Sequence, residues 1–391
     1  MAGIKKIAGK IGLRELSFLV ATLLALPLGW GVLSGFYTWL SPFLLLNSGL
    51  ALKSLVWFNF FGFLILLTTV FRKRWFCRRL CPVGFACDFI SSKSPRKISL
   101  KRIPAIGRWL VYLSAGAAWF GFPALALLDP MSVFHGFFSA FSEKVTVPVI
   151  LSLLGLPVLL AVHLFFPGVW CSRLCPLGGV QDEVYQIRKL FSRKRERGEL
   201  KTGVVETGRR AFLFSGIGIA AGLTLPGFVK AAEKNYLRPP GAVPEKLFNL
   251  LCVRCGNCIK SCPTQILVHR SDRADYSSWL VPEVRFSEGY CLENCNMCSR
   301  VCPSGSITLF SPDAKKQLFM GLAVLHPENC LLLKNTECDR CKTACPYDAI
   351  SIRPVSASVQ SLPVIDNDKC VGCGACAIIC PVETIEIRPL S

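Results

Sequence analysis

Sixteen of the 21 cysteines lie beyond residue 250, at spacings that suit metal ligands. Two runs, "CVRCGNCIKSCP" (Cys252, Cys255, Cys258, Cys262) and "CVGCGACAIICP" (Cys370, Cys373, Cys376, Cys380), follow C-x2-C-x2-C-x3-C-P, the bacterial ferredoxin pattern. Between them lie "CLENCNMCSRVCP" (Cys291, Cys295, Cys298, Cys302) and "CLLLKNTECDRCKTACP" (Cys330, Cys338, Cys341, Cys345). These keep C-x2-C-x3-C-P but move the first cysteine outward by one and five residues. All 16 cysteines are used, which predicts four 4Fe-4S clusters. In such a run three close thiolates hold one cluster, and the fourth, before proline, reaches the neighbouring cluster. Gly256, Gly372 and Gly374 are expected to let backbone amides approach the cluster sulfides. Zinc knuckles and disulfide frameworks share C-x2-C pairs, but not a triple followed by x3-C-P four times over. Successive motifs are 28, 27 and 24 residues apart. Sequential pairing and nested pairing of the motifs both fit these gaps.

The remaining cysteines sit in a repeat. "CRRLCPVGFACD" at Cys77 and "CSRLCPLGGVQD" at Cys171 share Cys, Leu, Cys, Pro, Gly and Asp in register. "LSPFLLL" at Leu40 and "LDPMSVF" at Leu128 extend the match upstream. Each half therefore reads as helix, outer loop with proline, helix, then C-x3-C-P-x-G. Two parallel copies around a pseudo-twofold axis would bring Cys77, Cys81, Cys171 and Cys175 together. Positions i and i+4 share a helix face, so two such claws make a tetrathiolate, a candidate fifth metal or Fe-S site. Cys87 faces Gln181 in the repeat and reads as structural; His163 reads as a packed residue near these cysteines.

The elements that must position these residues fall into two classes. More than half of the chain is hydrophobic, mean hydropathy is +0.45 and the formal charge is +20. The apolar residues concentrate before residue 230. About 20 apolar residues cross a bilayer as a helix, which predicts spans at 16–35, 54–71, 107–128 and 146–166, with a shorter fifth at 211–229. The stretch 37–50, interrupted by Pro42 and Asn47, reads as an interfacial or re-entrant loop, and Trp30, Trp39 and Trp119 as interface anchors. Residues 72–108 carry 11 Lys and Arg against Asp88, and 167–210 carry 10 against five acids. Lys5, Lys6, Lys10 and Arg14 precede them, whereas the intervening loops hold only Lys53 and Lys144 as bases. By the positive-inside rule the basic segments are cytoplasmic, and the charge speaks for a membrane face and against nucleic acid.

"TGRRAFLFSGIGIAAG" at Thr207 has the look of a twin-arginine export signal in mid-chain. "VKAA" at Val229 matches a cleavage site only weakly, so 211–229 is expected to remain as an anchor. "GIGIAAG" lacks the surrounding strand of a dinucleotide fingerprint. The chain has no C-x-x-C-H for c-type haem, and His163 is the one histidine within a predicted span, against a bis-histidine haem. The expected fold is an α-helical membrane bundle, four spans as a tandem repeat plus a fifth, followed by an α+β polyferredoxin domain of two double-cluster units. Its parts are 1–180 (membrane), 181–210 (basic cytoplasmic linker), 211–229 (anchor) and 230–391 (ferredoxin). Strand-like runs flank several motifs, as in "LAVLHPENC", "AISIRP", "LPVIDNDKC" and "TIEIRP".

With its two C-x3-C-P-x-G motifs, the part up to about residue 200 resembles the NapH/MauN membrane ferredoxin-type family. The part from about 205, with its arginine pair, "LCVRCGNCIKSCP" and "GLAVLHPENC", resembles the NapG/MauM family. The resemblance implies a quinol dehydrogenase module in the cytoplasmic membrane. It would pass electrons from quinol to a periplasmic redox protein, such as a c-type cytochrome or a reductase. NapH-type proteins usually carry further cytoplasmic ferredoxin motifs after the fourth span, and "QIRKLFSRKRERGELKTG" has no cysteine. Reverse transfer into the quinone pool and a redox maturation or sensor role are the competing readings. Quinol oxidation needs a proton acceptor near the outer face, and Asp129 and His135 in "LDPMSVFHGFF" are the candidates, histidine being suited to proton transfer near neutral pH. A simpler reading makes Asp129 a helix cap and His135 an interfacial residue.

Overall fold

The computed structural model describes residues 12–55, 60–95, 104–142, 146–194, 203–228, 236–271, 278–287, 289–334, 336–354 and 360–390. Lys5, Lys6, Lys10, Lys144 and the "VKAA" stretch lie outside them, as does part of the basic loop 72–108.

The repeat read in the sequence is a repeat of elements. The first half contains α1 (Leu13–Ala25), α2 (Phe36–Trp39), α3 (Pro42–Leu52), α4 (Phe60–Phe71), α5 (Trp75–Arg79) and α6 (Pro82–Ser92). The second contains α7 (Ile106–Trp119), α8 (Pro130–Ser139), α9 (Val147–Phe165), a π-helical turn (Trp170–Leu174) and α10 (Pro176–Lys194). Helix α3 corresponds to α8, α4 to α9, α5 to the π turn and α6 to α10. Proline opens α3, α6, α8 and α10, because a ring at the first helical position loses no hydrogen bond and presets φ. The residue before it is the cap: Ser41, Cys81 and Asp129 accept backbone N–H groups through their side chains. Phe43, Phe76, Met131 and Leu177 are wholly buried where the halves meet.

Helix lengths depart from the expected spans. Val147–Phe165 agrees with 146–166 and is, among the described residues, the one helix long and apolar enough to cross a membrane. Helix α1 stops at Ala25 because Leu26 is extended before Pro27. Helix α7 stops at Trp119, before Gly121 turns at a φ of 81°. The stretch 37–50 is helical and buried, and Asn47 does not break it: its amide donates to Phe43 O at 2.9 Å within α3 and its carbonyl accepts from Ser114 of α7. Trp39 is 4% exposed and stacks on Phe61, so it packs in the core and does not anchor an interface. Helix α10 runs through position 180, joining the first part of the expected linker to the bundle.

Helix α11 (Gly203–Phe228) contains the arginine pair and the fifth apolar segment. It lies along α7 at backbone contact: a Cβ on Gly218 would fall 2.3 Å from Leu113 O and one on Gly222 2.9 Å from Ala117 O. Small residues permit this approach, and Trp109 stacks on Phe214 at 5.0 Å beside it.

The cysteine-rich part adds short helices α12 (Glu245–Leu251), α13 (Asn257–Lys260), α14 (Met297–Val301), α15 (Arg340–Thr343) and α16 (Ala375–Ile379). Its strands are β1 (Leu267–His269), β2 (Pro282–Val284), β3 (Leu322–Leu325), β4 (Ile350–Pro354), β5 (Ser361–Ile365) and β6 (Ile385–Arg388). They form three antiparallel ribbons, β1 with β2, β3 with β6 and β4 with β5. Leu325 faces Ile385, and Ile350 faces Ile365. The flanking strand-like runs are thus strands, closing each unit around its cysteines.

Candidate functional site

The cysteine motifs pair in sequence order, and each unit exchanges its last cysteine. Cys252, Cys255 and Cys258 share a cavity with Cys302 of the second motif. Cys291, Cys295 and Cys298 share one with Cys262 of the first. Cys370, Cys373 and Cys376 share one with Cys345 of the third motif. The same exchange leaves Cys380 with Cys330, Cys338 and Cys341, where α15 packs on α16. The nested arrangement is not formed.

A common turn produces this exchange. Three residues after the last cysteine of each motif stands a residue of positive φ: Gln265 (52°), Gly305 (72°), Asp348 (49°) and Glu383 (50°). The reversal aims backbone N–H groups at sulfur, Ile307 to Cys302 at 3.5 Å, Ala349 to Cys345 at 3.4 Å and Thr384 to Cys380 at 3.4 Å. Such bonds favour a charged sulfur and suit cluster ligands. Only Gly305 carries the usual sequence mark of this conformation, so the turn is invisible in the other three. Gly256 and Gly374 open α13 and α16 at φ of 67° and 86°, and a Cβ on Gly374 would strike the Phe286 ring. Burial pushes the Cys255 and Cys376 thiols up to about 12, so each stays protonated at neutral pH until a metal takes the place of its proton.

The first motif is also a docking surface. Asn257, between Cys255 and Cys258, meets His135 Nδ1 at 3.1 Å and donates to Thr38 Oγ1 at 3.1 Å. Lys260 donates to Ala25 O at the end of α1 at 3.0 Å, where a cation complements the helix dipole. Ser261 donates to Gly31 O at 3.0 Å and pairs with Ser34 at 2.8 Å. Cys255 itself packs with Val253 against Leu44 and Ala126. On this face a Cβ at Gly256 would fall 2.2 Å from Ser139 of α8. The ferredoxin part thus seats on the loops that follow α1 and α7, away from the C-x3-C-P motifs.

The opposite end of α8 reaches those motifs. Cys77, Cys81, Cys171 and Cys175 line one cavity of about 240 Å³, together with Pro130, Arg14, Arg74 and Arg78. Its backbone explains the C-P-x-G glycines: a Cβ on Gly84 would meet Cys77 O at 2.9 Å, and one on Gly178 would meet Cys171 O at 3.3 Å. Gly84 N–H donates to Cys81 Sγ at 3.2 Å. Four thiols, three arginines against the one acid Asp88, and helix N-termini form a setting that fits an anionic cluster. The first motif meets α8 from His135 to Ser139, which at 1.5 Å per residue lies about 8 to 14 Å along the helix from Pro130 at the cavity.

Asp129 is the N-cap of that helix and His135 lies at its middle, both fully buried. Asp129 caps it, accepting from Met131 N and Ser132 N at 3.1 Å and from Ser41 Oγ, its counterpart in the first half, at 2.6 Å. His135 stands beside the first motif, and its Nε2 is buried with no hydrogen-bond partner.

Comparisons with known proteins fit this division. A family model described as a 4Fe-4S dicluster domain matches residues 251–306 and 334–384. Another, described as a 4Fe-4S binding domain, matches 54–101 and 148–197, the two halves of the repeat. The methylamine utilization ferredoxin-type protein MauM of Methylophilus methylotrophus is 36% identical over 36% of this chain, which spans 65% of that relative. MauM of Methylobacillus flagellatus is 32% identical over 44% of the chain and 79% of the relative. The ferredoxin-type protein NapG of Escherichia coli is 34% identical over 43% of the chain and 78% of its own length. No solved structure matches.

Proposed function

From the premise that this chain belongs to the MauM/NapG family of ferredoxin-type proteins, iron-sulfur electron-transfer proteins, we propose a membrane-anchored quinol dehydrogenase module. In this reading a NapH/MauN-like bundle is fused to a periplasmic domain of four 4Fe-4S clusters. The observation that carries it is the seating of the first motif on the outer loops, with His135 against Asn257. Clusters held by the 16 cysteines would supply one-electron acceptance and donation.

The chain's own residues do the rest. Cys252, Cys255, Cys258 and Cys302 form the acceptor site nearest the bundle. The site of Cys262 shares its unit, Cys291 N donates to Cys373 O at 2.9 Å toward the third, and that of Cys338 and Cys380, in the third site's unit, comes last in this order and is assigned as the outer end. A periplasmic redox partner docks at that outer end. His135 Nε2, otherwise unpartnered, receives the proton of a quinol hydroxyl beside the acceptor site. Asp129 fixes the start of α8 and so the position of His135. The match of both repeat halves to a 4Fe-4S binding model supports a cluster at Cys77, Cys81, Cys171 and Cys175. The packing of α11 on α7 supports its retention as an anchor.

Single-turnover reduction of the purified full chain by menaquinol tests the reading. His135→Gln is expected to slow it about 100-fold, the lower range for loss of a general base, with dithionite reduction unchanged. An unchanged menaquinol rate removes His135 from the site, and no menaquinol reduction of the wild-type protein sinks the function.

A further inference from the structure

The two halves of the repeat are matched in backbone and unequal in chemistry around their first cysteines. The register that carries Cys77 onto Cys171 carries Thr69 onto His163 and Cys87 onto Gln181. Each pair keeps its place in the fold. Thr69 bonds back to Ile65 O at 2.8 Å, and His163 Nδ1 to Leu159 O at 3.1 Å. Contacts to the cysteines cross between the halves: Gln181 Nε2 lies 3.1 Å from Cys77 Sγ, and Cys87 lies beside Cys171. Cys77 thus has an amide beside it, and Cys171 a thiol and an imidazole.

That second group is compact. The ligand atoms of Cys87, His163 and Cys171 all lie within 4.8 Å of one another, and among the described residues no other set of three histidine, cysteine or acidic groups does so. Ligands that close can share one ion; ligands to the corners of a four-iron cluster stand wider apart, which is why the ferredoxin cysteines do not form such sets. Cys87 and His163 are fully buried. The bond of His163 Nδ1 to a carbonyl fixes the tautomer and leaves Nε2, buried beside the Cys171 sulfur, as the lone-pair nitrogen. Cys171 also lines the cavity of about 240 Å³, which provides an entry path.

We propose that Cys87, His163 and Cys171 bind a single thiophilic d10 cation, Cu+ or Zn2+, in addition to any cluster at the four C-x3-C-P cysteines. Two thiolates and one imidazole make a soft, buried set that selects such ions over Mg2+ or Ca2+. Binding replaces the two thiol protons, which leave to solvent. Cys171 is common to both ligand sets and joins them through its sulfur.

Elemental analysis of the detergent-solubilised full chain, after anaerobic exposure to Zn2+ or Cu+ and removal of excess, tests this. The variants Cys87→Gln and His163→Thr copy the other half, whose fold already accommodates those residues. The wild-type chain is expected to retain one equivalent of the added ion and each variant none, with iron content unchanged. Cys81→Ala is expected to do the reverse, lowering iron and keeping the ion, so failure of this proposal is distinguishable from failure of the cluster assignment. No retained ion in the wild type, full retention in both variants, or iron lost from them would each overturn it.

Discussion

Cys302 belongs to the second motif by sequence and to the first site by geometry, and Cys262 is its mirror image. This exchange makes a residue-scale prediction. Cys302→Ala and Cys252→Ala should remove the same cluster, about four iron atoms per chain, and give one shared loss in the EPR spectrum; Cys262→Ala and Cys291→Ala should share a different loss. If Cys302→Ala instead matched Cys291→Ala, the exchange would be wrong. The ligand types were legible because C-x2-C and x3-C-P are local constraints. The partner of each fourth cysteine was not, since it depends on a turn whose left-handed residue is Gln265, Asp348 or Glu383. The surroundings of Cys87 were not legible, because its neighbours, His163 and Cys171, come from the other half of the repeat.

Helices and loops carry the contact between the two parts. Ser34 is 3% exposed and joins the turn after α1 to Ser261 of the first motif. Ser34→Leu overfills this contact, which costs about 1–3 kcal/mol. It is expected to slow menaquinol reduction of the clusters and leave dithionite reduction intact; equal slowing of both would mean that the change damages the ferredoxin part itself. Gly218→Leu tests the other packed element, because its side chain would meet the α7 backbone. A melting temperature lowered by a similar cost is expected, and an unchanged one would mean that α11 stands off from α7. The apolar segments announced where the helices would be. Their ends were less legible, since Pro27 and Gly121 cut short two segments whose hydropathy continues. Asn47 looked like a break in composition, yet it sits in a helix because Ser114 of α7 supplies its partner.

At the scale of the whole molecule, the seating of the first motif on the segments after α1 and α7 sets it apart from the basic C-x3-C-P end. If that end is cytoplasmic, as the positive-inside rule implies, the proposed function puts the ferredoxin part in the periplasm. Protease added to right-side-out vesicles is therefore expected to digest it, and full protection would put it in the cytoplasm. The tandem repeat was visible in the sequence because it preserves two motifs and their order. The union of its end with the ferredoxin part was not, because Asn257, Ser261 and Lys260 are ordinary polar residues until Thr38, Gly31 and Ala25 face them. The most direct test of quinol-driven electron transfer is a redox titration of the clusters in isolated membranes, with menaquinol as the sole donor. The bundle-proximal cluster should become reduced as menaquinol is added, and the loss of its visible absorption should be reversed by an oxidant. Clusters that stay oxidised in menaquinol while dithionite bleaches them would contradict the account.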